Sequence, residues 1–412
     1  MSYYEMKNAI VDLFPLKMEN SSLNNEFSPM EKVAGVTLIQ RVLITGIRAG
    51  IQNFYLWDTK ENHKSEQDYR EQKKSIEKML KEDSRIRCSW QWIESLAEYS
   101  GGESAFLYYH YQTLVDPKTL EKFCKSENIN ECAAKHGKYI PLAKLEFQNL
   151  KISFPFLESL PKQEMTGFIE HLDPSRKKTE SNLLESLQSP LEGTVDIYFN
   201  RPIGRLMTLP IARMSIHPNF VSLVSIGIGL LSAIFFLSGY YWETIVAAFM
   251  LQISAILDCI DGDVARIQFK ESKLGRWLDI AGDNVVHLAV FICLGIREYH
   301  LVPDTKILWL CSMLVLATVI SFILVLYVQT SLKSTVKNTP FSANFVKLEK
   351  FIDKMTSRDF TVLLILGSFI GNLTWFLWLS AIGSQIFWLL LVSRIFIAKR
   401  QIKNYVFPVT NN

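Results

Sequence analysis

The sequence has little of several things. Its six cysteines, Cys88, Cys124, Cys132, Cys259, Cys293 and Cys311, form no C-x-x-C pair, which argues against a zinc site or a thioredoxin-like redox motif. Three of them fall inside apolar stretches, where a small buried thiol acts as a packing residue. Excess charge is also missing. With 44 Lys and Arg against 41 Asp and Glu the net charge is +3, and no basic stripe of the kind that binds nucleic acid is present. The opening MSYYEMKNAI lacks the basic start and continuous apolar core of a secretory signal, so the first domain is expected to stay on the cytoplasmic side. No inverted repeat of hydropathy marks the chain as a transporter.

What is present is unevenly spread. Residues 1–200 are mixed and charged like an ordinary α/β domain, whereas residues 219–398 hold long apolar runs. Crossing a bilayer takes about 20 apolar residues in a helix. The runs predict helices over about Phe220–Tyr240, Trp242–Ile260, Trp277–Ile296 and Ile307–Val328, and the stretch Phe360–Ile397 suffices for two more, with a turn at Gly371-Asn372 or near Gly383. Six helices put three basic groups on one side: Arg201, Arg205 and Arg213 with the loop Arg266–Arg276, the loop Lys333–Lys350, and the tail Lys399–Lys403. The positive-inside rule makes that side cytoplasmic. The expected organisation is an α/β domain over 1–195, a juxtamembrane segment over 196–218 and an all-α membrane domain over 219–412. Residues 200–214, NRPIGRLMTLPIARM, mix arginines with large apolar side chains, which suits a helix lying on the membrane surface; a plain linker is the alternative.

The chemistry is concentrated between residues 258 and 283. Asp258 and Asp261 are spaced i,i+3, Asp279 and Asp283 i,i+4, and both spacings place a carboxylate pair on one helix face. Ionisable groups in apolar helices are costly and mark functional sites. All-oxygen ligands suit hard divalent cations. Mg²⁺ takes one or two carboxylates and leaves places for water and substrate phosphate, so four carboxylates suffice for two cations clamping a diphosphate. Gly262, Ala265 and Gly275 keep the adjoining surface small, and Arg266 offers a planar donor fork. A solvated connecting loop would account for Asp263, Lys270, Glu271 and Lys273. It accounts poorly for Asp279 and Asp283, which interrupt an apolar helix.

The pattern Asp258-x-x-Asp261-Gly262-x-x-Ala265-Arg266, eight residues, Gly275-x-x-x-Asp279-x-x-x-Asp283 resembles the signature of the CDP-alcohol phosphatidyltransferase family. The resemblance implies a six-helix fold, cleavage of a CDP-alcohol with release of CMP, and Mg²⁺ or Mn²⁺ as cofactor. It implies that Asp258, Asp261 and Asp279 bind metal, that Asp283 is both a ligand and the base for the acceptor hydroxyl, and that Gly262, Ala265, Arg266 and Gly275 line the cytidine-diphosphate pocket. The stretch His217-Pro218-Asn219 is similar to the family's opening of the first helix and brings Asn219 to the same pocket.

Residues 31–57 read as a strand edge, a helix with Leu38, Ile39, Val42, Leu43 and Ile47 on one face, and a strand Phe54–Trp57 after Gly50, a βαβ pattern. This segment looks like part of a sugar-phosphate nucleotidyltransferase domain. The domain order, and the stretch Leu183–Arg205, resemble bifunctional fusions of an inositol-phosphate cytidylyltransferase with a di-myo-inositol phosphate phosphate synthase. Three departures stand out. Residues 12–27 contain no glycine for a phosphate-cradling loop, no aspartate stands at Tyr109-His110 where that family's metal ligand belongs, and near His171 only Asp173 remains of an expected acidic pair. Nucleotidyl transfer is therefore expected to be lost, leaving a scaffold, a dimer contact or an allosteric site as this domain's role. The donor is expected to be CDP-diacylglycerol or a CDP-polyol such as CDP-inositol. The acceptor is expected to be a polar alcohol or phosphorylated polyol, with Arg205, Arg213, Arg358 and Arg394 as candidate contacts; a lipid-headgroup anchor is the plainer role for each. The rival class is an ion-coupled transporter or receptor using the carboxylates as its binding site.

Overall fold

The computed structural model describes residues 6–14, 27–99, 105–126, 128–146, 152, 154–173, 175–187, 195–214, 216–332, 348, 352 and 360–406, with helical backbone only over 401–406. The chain forms two compact units, Met1–Leu187 with Ile267–Phe269, and Gln188–Arg266 with Lys270–Asn412.

The first unit is α/β. Its elements are β1 (Asn8–Asp12), β2 (Lys32–Val33), β3 (Val36–Thr37), α1 (Leu38–Arg48), β4 (Asn53–Trp57), α2 (Glu66–Glu82), β5 (Ser89–Ile93), β6 (Ala105–His110), β7 (Thr113–Val115), α3 (Pro117–Lys125), β8 (Glu131–Lys135), β9 (Lys138–Glu146), α4 (Phe154–Ser159), β10 (Lys162–Glu164), β11 (Ile169–His171) and α5 (Arg176–Ser186). A seven-stranded sheet runs in the order β10-β8-β9-β6-β1-β4-β5. The expected helix and the strand after it are there as α1 and β4, but the strand before the helix, β3, pairs antiparallel with β2 in a separate two-stranded sheet, and the parallel partner of β4 is β1. Thr37 caps α1 reciprocally with Gln40, a capping box, and Gly50 follows the helix at φ +102°, a backbone conformation that favours glycine. β1 pairs in parallel with β4 and β6, which sets Asp12 beside Trp57 and His110. The strand order reverses about β1, and the carboxyl ends at such a reversal are where open α/β sheets bind ligands. Leu38, Ile39, Val42 and Leu43 bury their side chains against this sheet.

The second unit is helical. A π-helical turn, Asp196–Asn200, leads into α6 (Arg201–Arg213), followed by α7 (Pro218–Phe236), α8 (Tyr241–Ile267), α9 (Lys273–Leu301), α10 (Thr305–Tyr327), α11 (Phe360–Ile370) and α12 (Thr374–Val406). Among the described residues five helices are long and apolar enough to cross a membrane, and the 11-residue α11 is a shorter apolar helix. Five of the six expected crossings are thus found among the described residues, and the residues just before α11 lie outside them. Of the two expected turns the chain makes the one at Gly371, at φ +76°. α8 is longer than the sequence suggested. It continues past Ile260 to Ile267, because Gly262 alone does not break it and its charges find partners.

Glycines let the helices close on one another. A Cβ at Gly229 of α7 would meet Val286 Cγ1 of α9 at 2.7 Å, and one at Gly282 of α9 would collide with Ile226 of α7. Close approach through small residues is how helices associate where the hydrophobic effect is weak. Ser225 and Ser254 tie α7 to α8 by reciprocal hydroxyl-to-carbonyl hydrogen bonds of 2.8 Å. At the far end of α9 the buried Arg297–Glu298 pair is joined by Thr374, whose hydroxyl donates to Glu298 at 2.6 Å. A buried ion pair with a further hydrogen bond meets the condition for keeping charge away from water.

Candidate active site

Asp258 on α8 and Asp279 and Asp283 on α9 converge, each offering one carboxylate oxygen within 4.8 Å of the other two. Asp279 is exposed and the others are half-buried. Two oxygens on opposite sides of one Mg²⁺ stand about 4.2 Å apart, so this triplet is close to what one or two such cations require, and its all-oxygen donor set fits them. The fourth acid is placed differently. Asp261, one turn along α8, is buried and lies outside the triplet of oxygens, so the structure brings together three of the four expected carboxylates.

The pocket residues expected from the sequence lie on α7, α8 and α9. Pro218 opens α7 and His217 Nδ1 caps it by accepting from Asn219 N–H at 3.2 Å. Ser272 caps α9 through Gly275 N–H at 2.9 Å. Asn219 and Gly275 are neighbours: a Cβ at Gly275 would stand 3.0 Å from Asn219 Oδ1. A Cβ at Gly262 would stand 3.5 Å from Arg266 Nη2, in ordinary van der Waals contact, which places the guanidinium beside Gly262 along α8. Ala265 is half-buried between them on α8.

Asp263 is not part of a solvated loop. It is 3 % exposed, and its Oδ1 accepts from Arg201 Nη1 of α6 at 2.7 Å and from Arg266 Nη2 at 2.9 Å. The pairing with Arg266 was legible as an i,i+3 spacing; Arg201 is remote in sequence and carried no such signal. α6 turns Arg201, Gly204, Thr208 and Ala212 inward, with Gly204 against Ile260, while Leu206 and Met214 are 76 % and 71 % exposed. Large apolar groups outward and small or polar groups inward is the reverse of a water-facing helix. Gln252 of α8 donates to the fully buried Asn200 at the head of α6.

Of the candidate acceptor contacts, Arg205 is half-buried and its Nη2 has no hydrogen-bond partner among the described residues. Arg213 and Arg394 are exposed, and Arg358 lies outside the described residues. Arg266 Nε is likewise buried and without a hydrogen-bond partner there. One guanidinium nitrogen on α6 and one on α8 thus lack a hydrogen-bond partner among the described residues.

At the strand ends of the α/β unit the groups satisfy each other. Asp12 accepts from Tyr108 O–H and from Phe14 N–H, and burial lifts its carboxyl to a pKa of about 7. His110 Nδ1 accepts from Gln112 N–H at 3.2 Å, so its other nitrogen, Nε2, carries the proton and donates to Phe14 O at 2.6 Å. Burial, with His171 nearby, lowers its pKa to about 3. A neutral imidazole with both nitrogens engaged therefore stands where a metal-binding aspartate was sought. Asp173 is held locally, accepting from Ser175 N–H at 2.8 Å and Lys178 Nζ at 3.1 Å.

Residues 215–395 match the family model described as CDP-alcohol phosphatidyltransferase. Curated relatives named bifunctional IPC transferase and DIPP synthase match over part of the chain. The protein of Aquifex aeolicus is 24 % identical over 249 residues, 58 % of this chain and 51 % of that one. That of Thermococcus kodakarensis is 28 % identical over 142 residues, 34 % of this chain and 30 % of that one. The chain thus spans about half the length of the first relative and less of the second. Among solved structures, Mycobacterium tuberculosis phosphatidylinositol phosphate synthase with CDP-DAG bound aligns with 48 % of this chain and 93 % of its own, at 18 % identity and a TM-score of 0.30. HddC from Yersinia pseudotuberculosis aligns with 42 % of this chain and 98 % of its own, at 13 % identity and the same score. A score of that size does not define a fold.

Proposed function

With residues 215–395 matching a CDP-alcohol phosphatidyltransferase domain, we propose that the protein is a membrane-embedded enzyme that moves a phosphoalcohol group from a CDP-alcohol to an acceptor hydroxyl and releases CMP. The observation that carries this is the convergence of Asp258, Asp279 and Asp283 within 4.8 Å, on helices long and apolar enough to span a bilayer.

In this reading Asp258, Asp279 and Asp283 would hold Mg²⁺ or Mn²⁺, with Asp261 as a further ligand. The bound cations offset charge on the diphosphate and on departing CMP. Asp283 takes the proton from the acceptor hydroxyl, whose oxygen forms a new bond to the phosphorus bearing the alcohol while the bond from that phosphorus to CMP breaks. Arg266 donates to the diphosphate, and Asn219, Gly262, Ala265 and Gly275 form the wall against the nucleotide. Arg205 binds a phosphate on the acceptor. The names of the curated relatives favour a CDP-polyol donor over a lipid one, and a phosphorylated polyol as acceptor. The site faces the cytoplasm with the basic loops, and α6 lies at the membrane surface with Leu206 and Met214 in contact with lipid.

The α/β unit no longer transfers nucleotides in this reading. The neutral, doubly bonded His110 and the absence of glycine from residues 12–27 support that. The test is to incubate the purified full chain with Mg²⁺ or Mn²⁺ and a panel of CDP-alcohols and acceptors. CMP should appear together with a product whose mass is that of acceptor plus phosphoalcohol. A folded protein that releases no CMP from any donor refutes the reading, and CTP consumption with a polyol phosphate refutes the inactive α/β unit.

A further inference from the structure

Asp263 belongs to no position of the signature, yet it is among the most deeply buried charges of the helical unit. Its Oδ1 takes hydrogen bonds from two guanidinium groups on different elements, Arg201 of α6 and Arg266 of its own helix. A buried carboxylate is tolerated only when paired in this way, and charge-assisted bonds to arginine are short and directional. Arg266 is thereby fixed at Nη2. Its Nε is buried without a hydrogen-bond partner among the described residues, while the side chain as a whole is 37 % exposed, so the guanidinium is anchored at one nitrogen and part of the side chain is open to solvent. Gly262 lies beside it, a Cβ there standing 3.5 Å from Nη2. Arg201 is fixed by the same oxygen. One turn further along α6 stands Arg205, and Gly204 between them rests on Ile260.

We propose that Asp263 is a positioning residue that locks the donor-side Arg266 and the juxtamembrane helix α6 into one unit, so that Arg266 meets the diphosphate in a fixed orientation and Arg205 is held one helical turn from the lock. This rests on the CDP-alcohol reading of the site. Asp263 touches neither metal nor substrate. Its effect is on binding and passes through Arg266 and Arg201.

The test uses the full chain in detergent with Asp263→Asn, which keeps size and removes charge. Hydrogen exchange without substrate should quicken over the α6 amides, residues 203–213, while α9 stays protected. In CMP release the KM for the CDP-alcohol should rise about 10-fold with kcat within about 3-fold, the pattern of lost binding that is equal in ground and transition states. Arg201→Lys, which keeps the charge, should stay near wild type in KM, and Arg201→Met should follow Asp263→Asn. In the double variant Asp263→Asn/Arg266→Gln the KM should be no higher than in Arg266→Gln alone. Additive effects, an unchanged KM, or unchanged α6 exchange in Asp263→Asn would each overturn the proposal. A wild-type protein that releases no CMP defeats the functional reading itself; the exchange experiment needs no substrate and separates that failure from failure of the lock.

Discussion

Asp258 and Asp283 come from different helices, α8 and α9, yet present oxygens within 4.8 Å of each other. Two half-buried carboxylates so close repel unless a cation, a proton or a ring of donors stands between them, and this repulsion is what the proposed chemistry uses. Replacing Asp283 with Asn keeps shape and removes both the negative charge and the base. The variant is expected to fold and bind CDP-alcohol but to lose CMP release by about 10²–10⁴-fold, the usual contribution of a positioned base. Turnover and CDP-alcohol binding measured on the same preparation check this, and retained turnover removes Asp283 from the role of base.

Chelation should act at the same place. EDTA is expected to abolish CMP release, with recovery on adding excess Mg²⁺ or Mn²⁺. The melting temperature should rise with cation concentration in wild type, since a ligand bound only by the folded state stabilises it, and should rise less in Asp258→Asn. Activity that survives exhaustive chelation contradicts a metal-assisted transfer.

Gly282 precedes Asp283 on α9 and faces Ile226 of α7 without room for a Cβ. Gly282→Ala must push the helices apart or displace Ile226, at a cost of about 1–3 kcal/mol, and the displacement falls beside the carboxylate. The expected outcome is a lowered melting temperature together with a lowered kcat. Gly227, which has open space around it, should accept alanine without either effect, so equal behaviour of the two variants would count against the packing argument.

The α/β unit carries its own pH signature. His110 and His171 have pKa values lowered to about 3 and about 4, both chiefly by burial. The unfolded chain takes up their protons near pH 6.5 and the folded chain does not, so their contribution is complete above pH 6.5 and is lost as pH falls. Asp12, raised to about 7 by burial, works in the opposite direction: the folded chain keeps a proton that the unfolded chain releases above about pH 4, so its contribution falls as pH rises to about 7. Each proton is worth about 1.4 kcal/mol per pH unit. Between pH 6.5 and 4 two histidines oppose one aspartate, and the unit should weaken on acidification. His110→Gln should flatten that loss and Asp12→Asn should steepen it. Hydrogen exchange of the β1 and β6 amides across this range measures both, and a wild-type unit that strengthens from pH 6.5 to 4 contradicts the assignment.

The membrane helices and the carboxylate spacings were legible because hydropathy and i,i+3 or i,i+4 periodicity are local properties. So was the segment from Val36 to Trp57, where Thr37, Gln40 and Gly50 mark helix and turn within a few residues. What the sequence did not disclose depends on distant partners. Asp263 reads as a loop acid until Arg201, 62 positions away, is seen beside it, and α8 seems to end at Ile260 only because the charges that follow look solvated. Asp261 shares a helix-face spacing with Asp258, but it is buried and lies outside the triplet formed with α9, which depends on packing that the spacing does not carry. Neutral His110 was visible only as a missing aspartate; its hydrogen bonds to Phe14 and Gln112 arise from the pairing of β1 with β6.

The most direct measurement is Mn²⁺ binding followed by electron paramagnetic resonance, on the purified full chain with and without a CDP-alcohol, in wild type, Asp258→Asn and Asp279→Asn. The account predicts that wild type binds Mn²⁺, that the CDP-alcohol tightens this binding, and that either substitution removes the tightening. Wild type and both variants binding Mn²⁺ alike, unaffected by the CDP-alcohol, would show that these carboxylates do not hold cations against a diphosphate.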